Sequence, residues 1–263
     1  MPNSEFFDQL VSAAAKAGPA ARCMPDSPAW RAFLQDVPRG EAKGSEKAAP
    51  SPLPRPASVP PPVPVAVSGE DLESLKRQAL ACRGCPLCEQ RTNVVFGEGD
   101  PHARLMFIGE GPGFDEDRLG RPFVGKAGQL LDKMIAAMQF TRESVYICNI
   151  VKCRPPGNRV PMPEEAEACL PYLKAQIACV APQVIVLLGA TAAHYLLGRQ
   201  EGITRLRGRW LDYDGIPVMP TYHPAFLLRK PEAKRDAWND LQQVMAKFNK
   251  FHRPGTAAAP QQG

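Results

Sequence analysis

Four cysteines restrict this chain more than any other feature. Cys82 and Cys85 form a Cys-x-x-Cys pair, whereas Cys153 and Cys169 follow far along the sequence. Thiolates from one close pair and two distant segments can converge on an iron–sulfur cluster or on zinc. A fold that uses them so would bring three separated stretches to one place and staple the chain together. Cys88 adds an overlapping second pair, Cys85-x-x-Cys88, so the local spacing leaves the choice within the first stretch open.

Composition narrows the setting. The 263 residues are 44% hydrophobic and 22% charged, the balance of a soluble globular protein rather than a disordered one. No apolar run approaches the eighteen or so residues of a membrane span, so no membrane association is expected. The first ten residues carry the acids Glu5 and Asp8 and lack the basic-then-apolar order of a secretory signal, which predicts a cytoplasmic protein. In that reducing compartment the eight cysteines read as metal ligands or free thiols, not disulfides. A net charge of +5 fits a polyanionic partner but does not require one. A monomer is expected.

Texture divides the chain into an N-terminal extension (1–69), a main domain (70–250) and a flexible tail (251–263). Residues 5–17 and 28–35 could form short helices. Residues 50–64 hold eight prolines in fifteen positions, the composition of an extended spacer. The extension is thus expected to be disordered or weakly helical, a tether with no partner legible in it. From Ser68 onward, short apolar runs at 104–109, 145–151, 183–189 and 216–220 read as strands. Helical patterns at 72–81, 125–139, 163–179, 191–197 and 231–248 lie among them. This alternation predicts an α/β fold, three-layered α/β/α, around a central four-stranded, mostly parallel sheet. Ligands of such sheets bind beyond the carboxyl ends of the strands.

The chemically suggestive residues fall at those ends. The first strand empties into Gly109-Glu110-Gly111-Pro112-Gly113, whose glycines allow close backbone approach and whose Glu110 could orient or deprotonate a water. It is neither a dinucleotide nor a Walker phosphate loop. The second strand ends at Asn149, which offers a donor and an acceptor together, as a pyrimidine O4 and N3–H would require. The fourth runs into Thr221-Tyr222-His223-Pro224. Phe123 lies in a glycine-rich loop, as a core residue or as a stacking face for a base.

Together these residues resemble the family 4 uracil-DNA glycosylases, an iron–sulfur branch of a DNA-repair superfamily. The resemblance runs over about residues 72–248, through Val95-Phe96-Gly97-Glu98-Gly99, the Gly109–Gly113 loop, residues 120–128, residues 148–159 and His223-Pro224, in the family's order. It implies base excision repair: uracil is flipped from single- or double-stranded DNA and its N-glycosidic bond is hydrolysed. It implies that Cys82, Cys85, Cys153 and Cys169 ligate a 4Fe–4S cluster. Glu110, Gly111 and Pro112 would line the uracil pocket, Phe123 would stack on the base, Asn149 would read its edge and His223 would sit against O2. Glu110 and His223 would be the catalytic pair, and Leu227, Leu228 and Arg229 the wedge pressed into DNA. The chain departs from the common pattern at Phe114, where an acidic residue is frequent, and in the extra thiols Cys88 and Cys148.

Three rivals belong to other classes, and the first, a non-catalytic relative of the kind fused to polymerases, lacks a polymerase-length partner segment here. A covalent uracil-DNA binder of the same superfamily carries a nucleophilic His after the second strand, and residues 155–161 contain none. A zinc-stapled structural domain would use the same cysteines but leaves Glu110, Asn149 and His223 without a role.

Overall fold

The computed structural model describes residues 71–251. The expected N-terminal helices, the proline-rich spacer and most of the tail lie outside the described residues.

Asp71 starts the first helix, α1 (Leu72–Ala81), by accepting a hydrogen bond from the Ser74 N–H at 2.6 Å. A one-turn helix, α2 (Leu87–Gln90), follows the Cys82 and Cys85 pair. The sheet then begins with β1 (Glu98–Gly99) and β2 (Leu105–Gly109), followed by α3 (Phe114–Leu119), α4 (Lys126–Ala137) and β3 (Tyr146–Asn149). Next come α5 (Pro163–Val180), β4 (Val184–Leu188), α6 (Ala190–Leu197) and α7 (Ile203–Leu206). The order closes with β5 (Leu211–Tyr213), β6 (Ile216–Thr221), α8 (Pro224–Arg229) and α9 (Lys234–Phe251).

The sheet has six strands, not four, in the order β1-β3-β2-β4-β6-β5. The inner pairs β2–β3, β2–β4 and β4–β6 are parallel, while β1 and β5 add antiparallel edges, so the sheet is mixed. Both additions escape a hydrophobicity reading for physical reasons. β1 is two residues long and includes a glycine, and β5 is only half-buried. The β5–β6 turn did carry a signal: Asp214-Gly215 has φ of +48° and +83°, the two left-handed residues of a tight hairpin.

The inner strands are continuous apolar runs because both faces are covered. On one face Met106, Ile108, Ile185 and Leu187 join a core with Leu75 of α1, Leu173 and Ile177 of α5, and Ala192 of α6. The alternate residues Leu105, Phe107, Val186 and Leu188 are equally buried on the other face, where α9 packs on β6. The chain leaves β2 for β3 on one side, then crosses to β4 on the other. The carboxyl end of β2 is thus a topological switch point, where a parallel sheet opens a crevice.

Candidate active site and cysteine cavity

Gly109 ends β2 directly beside Asn149, its ladder partner at the end of β3. A Cβ on Gly109 would stand 2.5 Å from Asn149 Oδ1 and 2.5 Å from Phe123 Cζ. Only a glycine lets these two side chains meet over the strand end. Asn149 is 1% exposed, and its Oδ1 has no hydrogen-bond partner. Buried acceptors are normally satisfied, because an unpaired one carries its desolvation cost. Here a buried acceptor stands beside a flat aromatic ring, an arrangement suited to a planar ring bearing an N–H.

Phe123 is buried and adopts φ of +51°, an uncommon backbone for a non-glycine residue. Neighbours over-determine it. Arg142 donates to the carbonyls of Phe123 and Pro122 and pairs with Glu98 and Asp132 at 2.5 and 2.7 Å. Glu116 accepts from the N–H groups of Val124 and Gly125, both at 2.9 Å, and of Gly113 at 3.1 Å. One carboxylate thus stitches the Gly109–Gly113 loop to the Phe123 loop. Nothing in the glycine-loop motif singles out Glu116, although an acid three residues after Gly113 is the spacing of a helix-start capping box.

His223 precedes α8, and its Nδ1 accepts from the Ala225 N–H at 3.1 Å. An accepting Nδ1 carries no proton, which leaves Nε2 as the N–H donor of a neutral imidazole. Burial, helped by Arg229, pushes the His223 pKa down to about 4, so the ring is neutral at pH 7. It lies 5.7 Å from the Phe123 ring, centroid to centroid. Gly189, at φ +96°, leaves room for it, since a Cβ there would come within 3.2 Å of His223 Cβ. Beneath, Thr221 donates to Asp240 at 2.7 Å and Arg207 grips both carboxylate oxygens at 3.0 and 2.6 Å. Burial still pushes the Asp240 pKa up to about 6.

Glu110 is half-buried and accepts a 2.5 Å hydrogen bond from the Thr191 hydroxyl, on the first turn of α6. Nothing in the local sequence marked Thr191. It reaches Glu110 because β4 neighbours β2, a tertiary fact. Gly111 packs beside Val151 and Pro155, and Pro112 is buried. The expected wedge divides: Leu227 is 0% exposed, so it belongs to the core and is not free to enter DNA. Leu228 is 42% exposed, and Arg229 is also exposed. An amphipathic α8 packed on α4 can turn only one side outward.

The four cysteines do come together. Cys82, Cys85, Cys153 and Cys169 line one small, mostly apolar cavity, with Cys88, Arg91, Lys152 and Tyr172 also in its wall. Among the described residues, no three His, Cys, Asp or Glu side chains gather as one metal ion would need. The thiols surround a space rather than converge on a point. Cys153 accepts from Arg91 at 3.1 Å, Cys169 from the Lys152 N–H at 3.3 Å and Cys82 from the Gly84 N–H at 3.4 Å. Burial pushes Cys85 up to about 11 and Cys169 up to about 12. Thiolates here would need a bound cation to hold them ionised.

Residues 96–242 match the family model described as the uracil DNA glycosylase superfamily. The chain is 46% identical over 185 residues to the type-4 uracil-DNA glycosylase of Thermotoga maritima, an alignment spanning 69% of this chain and 96% of that protein. It is 42% identical over 184 residues to the type-4 uracil-DNA glycosylase of Sulfurisphaera tokodaii, spanning 66% and 84%. With that of Archaeoglobus fulgidus the identity is 40% over 183 residues, spanning 66% and 92%.

Proposed function

The chain belongs to the uracil DNA glycosylase superfamily, in its type-4 branch, and on that premise we propose how it excises uracil from DNA. It is a DNA-repair enzyme that hydrolyses the N-glycosidic bond of deoxyuridine and leaves an abasic site. The observation that carries this reading is the unpaired, buried Oδ1 of Asn149 beside Phe123. Uracil N3–H would donate to that oxygen, and the Asn149 amide would donate to O4. Cytosine presents an unprotonated N3 and an N4 amino group, which inverts both contacts. Leaving buried polar groups unpaired is what makes such rejection strong.

The target base must leave the helix, at an unstacking cost of a few kcal/mol. Leu228 and Arg229 are the exposed residues of α8 that would fill the gap and hold the backbone. The flipped base would lie against Phe123, with the Gly109–Gly113 loop beneath. Bond cleavage leaves negative charge on uracil and positive charge on the sugar. A neutral His223 would donate Nε2–H to O2 as that charge develops, the preorganised-donor effect of an oxyanion hole. Glu110, steadied by Thr191, would hold the attacking water and face the cationic sugar.

A 4Fe–4S cluster on Cys82, Cys85, Cys153 and Cys169 fits the cysteine cavity better than zinc. Among the described residues no three of these side chains gather as a single tetrahedral zinc would need, while all four thiols line one cavity. When bound, the group supplies a four-armed crosslink between the start of the domain, the segment after β3 and α5.

The test is base release from oligonucleotides bearing uracil, hypoxanthine or xanthine, in single and double strands, with the free base identified by chromatography. Release of uracil from both forms is expected. Cluster-loaded protein that frees no uracil would overturn the reading.

A further inference from the structure

Lys152 is 2% exposed, among the most deeply buried large side chains of the described residues. A buried ammonium costs several kcal/mol unless charge and hydrogen bonds compensate it. Its Nζ donates to the Asn149 carbonyl at 2.7 Å and to Gln176 Oε1, both neutral acceptors. Among the described residues no carboxylate forms a salt bridge with it. What adjoins it is the cysteine cavity. Lys152 lines that cavity, precedes Cys153, and gives its own backbone N–H to Cys169. Gln176 extends the network, donating to Phe96 O at 2.9 Å and Tyr146 OH at 3.1 Å. Lys152 thus joins a thiol, through its backbone N–H, to helix α5 and the residue that ends β3, through its side chain.

We propose that Lys152 is a positioning residue with two duties: counter-charge to the thiolate-bound cluster, and strut under the backbone of Asn149. The proposal rests on the reading of Asn149 as the uracil reader and of the cavity as a cluster site. A Cys₄-ligated cluster is anionic, so the ammonium of a residue that lines the cavity resolves the charge imbalance on both sides. The strut matters because Asn149 can present Oδ1 only from a fixed main chain. In this view the cluster side of the domain holds the base-reading side in register through a single cation.

Lys152→Met keeps length and removes charge and donor, whereas Lys152→Gln removes the charge but keeps a donor. The cluster-loaded proteins are compared in three measurements. Voltammetry without DNA is expected to show a more negative cluster potential in both variants. Single-turnover excision is expected to fall about ten- to hundredfold in Lys152→Met, the usual loss when an outer-shell partner is removed, and less in Lys152→Gln. In a double-mutant cycle, Lys152→Met should cost less than about threefold more once Asn149→Ala is present, because the strut would then have nothing to hold. Wild-type potential in both variants, or full additivity with Asn149→Ala, would overturn the proposal. Should Lys152→Met fold but fail to take up iron, normal uptake by Gln176→Met would support the counter-charge role, and equal failure would overturn it. If Asn149→Ala alone excises uracil at the wild-type rate, the reading of Asn149 fails instead, while the potential still tests the counter-charge.

Discussion

Gly109 and Asn149 face each other across the last rung of β2 and β3, so close that a single added methyl would touch the amide oxygen at 2.5 Å. The missing side chain at one residue is what keeps a buried acceptor open at the other.

Gly109→Ala places its Cβ against both Asn149 Oδ1 and the Phe123 ring. Overpacking of this kind costs about 1–3 kcal/mol, and the space for a base is lost with it. Excision is expected to drop at least about a hundredfold, roughly the loss when one well-placed catalytic contact is removed. A single-turnover assay with a melting curve reads both, and a wild-type rate would contradict the pocket assignment.

Asn149→Ala should separate function from stability. It removes a buried acceptor that has no partner, and an unsatisfied group of that kind costs about 1–3 kcal/mol. Urea unfolding is expected to show a variant as stable as the parent or up to about 1 kcal/mol more stable, with excision nearly abolished. Marked destabilisation would mean that Oδ1 is satisfied in solution.

Thr191→Val deletes the only hydroxyl that donates to Glu110 among the described contacts. Hydrogen bonds to charged groups are worth about 1.5–3 kcal/mol, so a loss of about tenfold in the single-turnover rate is expected, with affinity for abasic DNA unchanged. Loss of affinity with an intact rate would assign Thr191 to binding instead.

The pH response follows from His223, whose folded pKa is depressed from 6.5 to about 4. The unfolded chain therefore takes up this proton first. The stabilisation is fully present above about pH 6.5 and is lost as pH falls toward 4, by at most about 1.4 kcal/mol per unit. Asp240, raised to about 6, works the other way, favouring the fold as pH drops from 6 toward 4. Subtracting the urea midpoints of His223→Gln from those of the parent between pH 7.5 and 5 isolates the histidine. A flat difference would contradict a buried neutral ring.

Five cysteines share the cavity wall, so single substitutions decide the ligand set. Cys88→Ala is expected to keep four irons per chain and the visible absorbance of the parent. Cys82→Ala and Cys169→Ala should lose iron and melt at lower temperature, as expected when a metal-linked crosslink goes. The reverse pattern at Cys82 and Cys88 would exchange them as ligands.

Much of this was readable along the chain, because it depends on local periodicity and strand ends. The runs containing Leu105–Gly109 and Val184–Leu188 are apolar throughout because parallel strands are covered twice, and glycine, asparagine and histidine stand where strands stop. The edges were harder. A two-residue β1 has no period to detect, and β5 buries too little to show one. Leu227 and Leu228 are identical in composition and adjacent in sequence, yet one is core and the other is open. A six-residue helix settles that by which of its sides rests on α4.

The sequence alone determined the alternating strand and helix order, the cysteine spacing that lets three stretches share a site and the polar residues at the sheet's carboxyl edge. Each of these is written in spacing and residue type. Only the tertiary structure decided that Thr191 reaches Glu110, that Glu116 ties two loops together and that Lys152 lies sealed between the thiols and Asn149. Those contacts join residues far apart in the chain, and the energies that select them, desolvation of a charge and satisfaction of a buried donor, exist only once the chain has closed around them.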